Sequence, residues 1–167
     1  TIDGGRSDLY AAAFRDFGVD IEALPAEEST ARLRARPTVA IALAAALDDW
    51  ARVRRPKDRE QSKRLWALAT ALDPDPWRVQ VRQASTAIDV AALVTLANSP
   101  EMARQPPQSQ LLLASSLRLG DQPEQALALL ERACESHPGD FWIHYELAYN
   151  STTHPNRTMR HHVVEAG

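Results

Sequence analysis

The 34 residues that decide the fold read Pro107-Gln-Ser-Gln-Leu-Leu-Leu-Ala-Ser-Ser-Leu-Arg-Leu-Gly-Asp-Gln-Pro-Glu-Gln-Ala-Leu-Ala-Leu-Leu-Glu-Arg-Ala-Cys-Glu-Ser-His-Pro-Gly-Asp140. Leucine and alanine dominate the stretch, and both favour helix over strand. Gly120 stops a first helix that starts near Gln108, and Asp121 caps a second helix that ends near Ser136. Glu124 follows three residues after this cap, as a capping box requires. The stretch therefore predicts two antiparallel helices joined by a short turn.

The apolar residues of this stretch recur at the spacing of a known repeat. Counted from Pro107 as position 1, positions 7, 8, 11, 20, 24, 27 and 32 hold Leu113, Ala114, Leu117, Ala126, Leu130, Ala133 and Pro138. Alanines let the two helices approach closely, larger side chains fill the space between turns, and the proline ends the second helix. Length and pattern resemble the tetratricopeptide repeat, whose unit has about 34 residues. The resemblance implies a helical array that binds protein surfaces.

A second repeat would begin at Phe141 and places Leu147 and Ala148 at positions 7 and 8. The pattern then fails, because residues 151–167 lack the apolar spacing of a second helix. Either the helix from Phe141 is a terminal cap, or the array is cut there. We predict three regions: a helical linker with degenerate hairpins (1–104), a tetratricopeptide-like repeat with the start of a second (105–150) and an irregular tail (151–167).

Helix-period apolar stripes separated by Pro, Gly and Asp breaks continue through the earlier part of the chain. The predicted helix starts are Ser7, Pro25, Pro37, Pro56, Asp75 with Pro76 and, after the repeat, Asp140. No period-two alternation or hairpin signature predicts a strand. The predicted fold class is all-α: antiparallel helical hairpins stacked into a right-handed, tetratricopeptide-like α-solenoid.

The charge of the chain argues against a nucleic-acid partner. Of its 167 residues, 44% are hydrophobic and 25% charged, and the formal net charge is −3. An acidic chain has no global field to hold a polyanion. The segment 52–64 is the local exception, with seven basic residues against two acidic ones. We interpret it as a solvated helix junction, with a docking patch for an acidic partner or membrane surface as the alternative.

The cysteine count and hydropathy suggest a cytoplasmic protein without a membrane span. Cys134 is the only cysteine, so the chain can form no internal disulfide. No apolar run approaches the ~20 residues that a membrane-spanning helix needs. The first residues contain neither an initiator Met nor a signal-peptide pattern. We expect the chain to be an interior part of a longer protein.

No catalytic, cofactor or metal site is predicted. The five histidines are His137, His144, His154, His161 and His162, and no two of them share one helix face at i, i+4 spacing. The adjacent carboxylates Asp48-Asp49 and Glu27-Glu28 diverge on a helix, so we assign them to caps and solvated faces rather than to acid–base chemistry. No nucleotide loop or nucleophile motif occurs.

Two helices of the repeat region supply a candidate partner surface. In a tetratricopeptide unit, positions 2, 5 and 9 of the first helix face a concave groove. The last repeat has Trp142, Tyr145 and Tyr149 there, and the first helix of the preceding repeat contributes Gln108, Ser115 and Arg118. Aromatic residues beside an arginine suit recognition of an extended peptide. The alternative is that these aromatic residues pack against a following helix.

Four blocks of sequence resemble one protein family: Tyr10–Glu22, Ala45–Ala51, Asp73–Arg78 and His137–Ile143. They are similar to the linker and tetratricopeptide region that follows the kinase domain of large bacterial serine/threonine protein kinases. The similarity covers roughly residues 9–150. It implies a non-catalytic interaction or scaffold module of such a kinase, with a protein or peptide partner.

The resemblance and the apolar last helix leave several partner arrangements open. The upstream kinase domain in the same chain is one candidate partner, and self-association through the C-terminal repeat is another. The alternative functions are an autoinhibitory or substrate-docking arm of an upstream enzyme and, more weakly, a nucleic-acid-associated helical repeat.

Overall fold

The computed structural model describes residues 2–153, and in that range the chain forms nine α-helices, two 3₁₀ turns and no strand. The helices are α1 Ile2–Asp16, α2 Ala26–Arg34, α3 Ala40–Arg54, α4 Arg59–Leu72, α5 Pro76–Ala87, α6 Val90–Ala97, α7 Pro107–Leu119, α8 Pro123–Ser136 and α9 Phe141–Thr153. The 3₁₀ turns are Pro37–Val39 and Met102–Arg104. The all-α prediction is confirmed. No helix in this range is both long and apolar enough to span a bilayer.

In the part of the chain that the structure describes, four aspartates cap helices, and the sequence predicted two of them. Asp75 accepts a hydrogen bond from the backbone N–H of Arg78 (3.0 Å), and Asp140 accepts one from Ile143 (3.0 Å), as predicted. Asp58 and Asp89 cap α4 and α6 in the same way. The fourth helix therefore begins after Asp58 rather than at Pro56, because the Asp58 carboxylate satisfies a free N–H of its first turn.

Two predicted caps are wrong. Ser7 lies inside α1, where its hydroxyl accepts hydrogen bonds from Trp50 Nε1 (3.0 Å) and an Arg54 Nη1 (2.9 Å) of α3. Asp121 adopts a positive φ of 58°, and α8 starts after Gln122 without a side-chain cap. The turn closes instead through the backbone, where Gln122 N–H donates to the carbonyl of Leu117 (2.9 Å).

Residues Thr1–Thr86 form the first of two compact units, called here the N-terminal unit. The hairpin of α3 and α4 is its centre, and α1 and α2 pack against it. Trp50 is fully buried and stacks on Phe14, with ring centroids 5.6 Å apart. Ser62 donates to the carbonyl of Ala51 (2.8 Å) and ties the two central helices together. This core forms because each helix turns one apolar stripe inward.

A buried charge network joins α5 to the α3–α4 hairpin. Arg82 of α5 donates to Asp48 of α3 from Nε (2.9 Å) and Nη2 (3.0 Å), and to Asp73 at the end of α4 (3.0 Å). Arg78 pairs with the same Asp73 at 2.5 Å. Asp48 is therefore not on a solvated face, and the sequence-based assignment of this residue to such a face is wrong. Burial raises its pKa to about 6, although Arg82 acts to lower it.

The second compact unit, Ala87–Gly167, is called the C-terminal unit and contains the repeat. Here α7 and α8 pack on each other, α6 lies beside both, and α9 packs on α8 and α7. The six apolar repeat positions are all buried: Leu113, Ala114, Leu117, Ala126, Leu130 and Ala133. The burial of all six positions is what the predicted register of the hairpin requires. The predicted boundary between the helical linker (1–104) and the repeat region (105–150) was drawn from the sequence pattern, and it stays a prediction.

Candidate partner-binding surface

Helix α9 buries one face and exposes the other. Ile143 and Asn150 are buried on the side that packs on the repeat hairpin. Four aromatic side chains are exposed: Phe141 (68%), Trp142 (61%), Tyr145 (50%) and Tyr149 (48%). Their spacing of three or four residues places them along one side of the helix. We call these four residues the aromatic ladder.

The rings of the ladder contact one another along α9. Phe141 and Tyr145 stack with centroids 6.2 Å apart, and Tyr145 and Tyr149 stack at 6.5 Å. Trp142 meets Phe141 and Tyr145 edge to face, at 5.2 and 6.0 Å. These contacts order the rings before any partner binds, which lowers the entropy lost on binding.

Arg118 of α7 lies beside Tyr149, the last residue of the ladder. Its guanidinium lies 5.6 Å from the centroid of the Tyr149 ring, within the range of a cation–π contact. The same guanidinium is 3.6 Å from the carboxylate of Glu146. The structure therefore joins four of the six predicted surface residues: Arg118, Trp142, Tyr145 and Tyr149.

Among the described residues, the other two predicted surface residues form no hydrogen bond or ion pair with the ladder. Gln108 is exposed in the first turn of α7. Ser115 is half-buried, and its hydroxyl donates to the carbonyl of Leu111 in its own helix (2.8 Å). That these six residues bind a partner stays a prediction.

The sequence-based surface omitted two residues that the structure adds to it. Phe141 is the most exposed aromatic residue of the ladder. Glu146 adds a carboxylate beside Arg118. Phe141 occupies position 1 of the second repeat, outside the positions taken to face the groove. An i, i+4 count from Tyr145 would have found it.

The basic segment 52–64 is largely used within the fold. Arg52 pairs with Asp49, Arg54 with Glu22 and Lys63 with Glu60. The guanidinium of Arg55 donates to the carbonyl of Ser85 (2.6 Å), and that of Arg64 to the carbonyl of Leu24. Such contacts favour the interpretation as a helix junction over a docking patch.

The chemistry of Cys134 is that of a packed thiol. Its Sγ lies 3.6 Å from Nδ1 of His144, and burial, with the charge of Glu131, raises its pKa. A thiol of raised pKa is a poor nucleophile at neutral pH.

Within residues 2–153, no three His, Cys, Asp or Glu side chains group into a metal site. His154, His161 and His162 lie outside the described residues.

The packed hairpin, the helix α9 and the exposed ladder define a protein of the helical-repeat class. The family model of the tetratricopeptide repeat matches residues 107–150. This part of the chain is therefore a tetratricopeptide region, as its spacing predicted. Regions of this kind serve protein–protein interaction in general. No curated protein and no solved structure matches the chain.

Proposed function

We propose that the chain is a non-catalytic interaction module that holds a protein or peptide partner on the face formed by α7 and α9. The observation that carries the proposal is the exposed aromatic ladder with Arg118 at its end. Tryptophan, tyrosine and arginine are the residues that most often dominate binding energy at protein interfaces. Here all three types stand together on one ordered surface.

The size of the exposed surface supports this role. An aromatic side chain can bury roughly 150–250 Å², so four rings about half exposed present on the order of 450 Å² of apolar surface. Patches beyond a few hundred Å² usually mark interaction sites. A terminal helix that only closed a repeat array would need a polar outer face. The ladder makes α9 unsuited to that task.

The sequence resemblance supplies the biological setting of the proposal. We infer that the module is the regulatory or docking region of a cytoplasmic bacterial serine/threonine protein kinase. It would then bring a partner to a catalytic domain encoded upstream of Thr1 and carry out no chemistry itself. Reading the gene upstream of the Thr1 codon tests this inference, since an open reading frame without kinase motifs there would contradict it.

A photo-crosslinker on the ladder should capture the partner of the module. We expect benzoylphenylalanine at Tyr145 to crosslink to a discrete protein in cells, because this side chain lies at the centre of the exposed surface. The same crosslinker at Leu9 of α1 is the matched control, since Leu9 is at least as exposed and lies in the N-terminal unit. Mass spectrometry of the adducts provides the measurement.

A double variant sharpens the test. In Trp142→Ser/Tyr149→Ser, the crosslink from position 145 should weaken at least several-fold, while exposed substitutions typically change the free energy of unfolding by no more than about 0.5 kcal/mol. Equal crosslinking from positions 145 and 9, or a crosslink that the double variant leaves intact, would contradict a binding role for the ladder.

A further inference from the structure

The aromatic ladder has a chemical preference that its charge surroundings reveal. We propose that it binds a basic, arginine-containing segment of another protein, whose guanidinium groups stack on the exposed rings. This proposal rests on the proposed function and specifies the partner of the same surface. Three features of the C-terminal unit carry it.

The first feature is the arginine that the chain already places on the ladder. The guanidinium of Arg118 lies over the face of Tyr149 at 5.6 Å. This geometry places a guanidinium on one ring of the ladder at cation–π distance. At the other end, Phe141 and Trp142 have the most exposed side chains of the four. Tryptophan is the strongest cation–π acceptor, so an arginine from a partner gains most there.

The second feature is the net charge of the described part of the C-terminal unit, which carries the ladder. Residues 87–153 contain eight acidic side chains: Asp89, Glu101, Asp121, Glu124, Glu131, Glu135, Asp140 and Glu146. They contain only three basic ones, Arg104, Arg118 and Arg132, which leaves a formal net charge of −5. Arg132 donates to the carbonyl of Ala97 (2.9 Å) and is thus held within the unit. An acidic surface attracts a basic segment and repels an acidic one.

The third feature is a pair of carboxylates at the ladder itself. Asp140 directly precedes Phe141, and its Oδ1 accepts the backbone N–H of Ile143 (3.0 Å). Glu146 lies between Tyr145 and Tyr149 in the sequence. Its carboxylate is 3.6 Å from Arg118 and accepts one long hydrogen bond from Asn150 Nδ2 (3.4 Å). A carboxylate has about four lone-pair sites, so both groups retain sites for a donor. A guanidinium can stack on a ring and pair with a carboxylate at once, which a lysine ammonium does less well.

The dimensions and the charge together argue against a second copy of this chain as the occupant. A standard interface buries about 800 Å² on each partner, well above the roughly 450 Å² that the ladder presents. Two copies would also bring two acidic units together. A short basic segment fits both the area and the sign of the charge.

Fluorescence anisotropy with three labelled peptides tests the proposal on the whole 167-residue chain. The peptides have twelve residues and share one Gly/Ser background with four arginines, four lysines or four glutamates. We expect the arginine peptide to bind most tightly, the lysine peptide several-fold more weakly and the glutamate peptide not at all. Raising the salt concentration should weaken arginine binding without abolishing it, because the stacking contacts are screened less than the ionic ones.

Variants locate the binding site. Trp142→Ser/Tyr145→Ser should weaken binding of the arginine peptide at least tenfold, and Glu146→Gln should weaken it several-fold. Glu124→Gln is the matched control, since it removes an exposed carboxylate in the first turn of α8 that is not part of the ladder, and it should change affinity less than twofold. Circular dichroism confirms that each variant keeps its helices.

Three outcomes would overturn the inference. The arginine and glutamate peptides could bind with equal affinity, or Trp142→Ser/Tyr145→Ser could leave the affinity for the arginine peptide unchanged. The third outcome is a wild-type dimer in light scattering that Trp142→Ser/Tyr149→Ser dissociates. The crosslink from position 145 separates this failure from a failure of the proposed function. A captured protein whose crosslinked segment is neutral or acidic would preserve the binding role and exclude the basic segment.

Discussion

Replacement of Arg82 by methionine should lower the free energy of unfolding of the N-terminal unit by about 3–5 kcal/mol at pH 7, because removing one partner of a buried ion pair strands the other. Arg82 is buried and donates to both Asp48 and Asp73. Without it, Asp73 keeps its ion pair with Arg78. Asp48 loses its ion pair and, among the described residues, keeps only the longer-range attraction of Arg78. Methionine replaces the aliphatic volume, so the loss reports mainly on charge.

The same variant should recover stability in acid. Burial holds the folded-state pKa of Asp48 at about 6, above the ordinary value of 3.8, and loss of Arg82 raises it further. The folded state then binds a proton that the unfolded state releases between these two pKa values. Stability from this group is therefore present at low pH and is lost as the pH rises through the folded-state pKa. The deficit of Arg82→Met should be smaller at pH 5 than at pH 7.

Urea unfolding followed by tryptophan fluorescence measures this deficit. Trp50, Trp66 and Trp77 are buried in the N-terminal unit, whereas Trp142 is already exposed, so the signal reports mainly on the N-terminal unit. Arg59→Met is the matched control, because Arg59 is exposed and should change stability by no more than about 0.5 kcal/mol. Adding Asp48→Asn to Arg82→Met should restore part of the loss and remove its pH dependence. A deficit equal at both pH values would refute this account.

The repeat could be predicted from the sequence because its packing is local. Ala126 and Ala133 are buried in α8, which packs on α7 across a turn of only a few residues, so one helical period predicts both the helices and their packing. The caps at Asp75 and Asp140 were predictable for the same reason, since the carboxylate bonds a backbone N–H three residues ahead. At these positions local preference and tertiary packing agree.

The charge network and the role of Ser7 depend on contacts that no local pattern encodes. Asp48 and Arg82 are 34 residues apart, and Ser7 and Trp50 are 43 apart. A serine before an apolar stripe resembles a cap, yet here the helix extends to Ile2 and the hydroxyl accepts the indole N–H. Likewise, adjacent aspartates look solvated until the fold places one of them beside a buried arginine.

The candidate surface was predictable in position but not in surroundings. Helical spacing placed Trp142, Tyr145 and Tyr149 on one side of α9, and the structure exposes that side. The spacing of apolar residues alone could not distinguish a helix face that packs in the interior from one that is exposed to solvent, because both faces are apolar. The contact of Arg118 with Tyr149 joins α7 to α9, so it could be identified only once the packing of these helices was known.

Replacement of Leu130 by alanine should destabilise the C-terminal unit by roughly 2–5 kcal/mol, because the side chain is fully buried and its removal leaves a cavity. Ala133 tests the opposite change in the same helix. It is also fully buried, and Ala133→Leu adds methylenes where the helices approach closely, at an expected cost of about 1–3 kcal/mol. Leu119→Ala is the matched control on α7, since Leu119 is largely exposed and its truncation should change stability by about 0.5 kcal/mol or less.

Hydrogen exchange read by mass spectrometry can assign these losses to the repeat. Two compact units make a single denaturation midpoint ambiguous, whereas peptides from α7, α8 and α9 report on the C-terminal unit directly. In Leu130→Ala and Ala133→Leu, those peptides should exchange faster in proportion to the lost stability, while peptides from α3 and α4 should keep wild-type rates. The tetratricopeptide register places both residues inside the hairpin, so exchange no faster than in Leu119→Ala would show that the register is wrong.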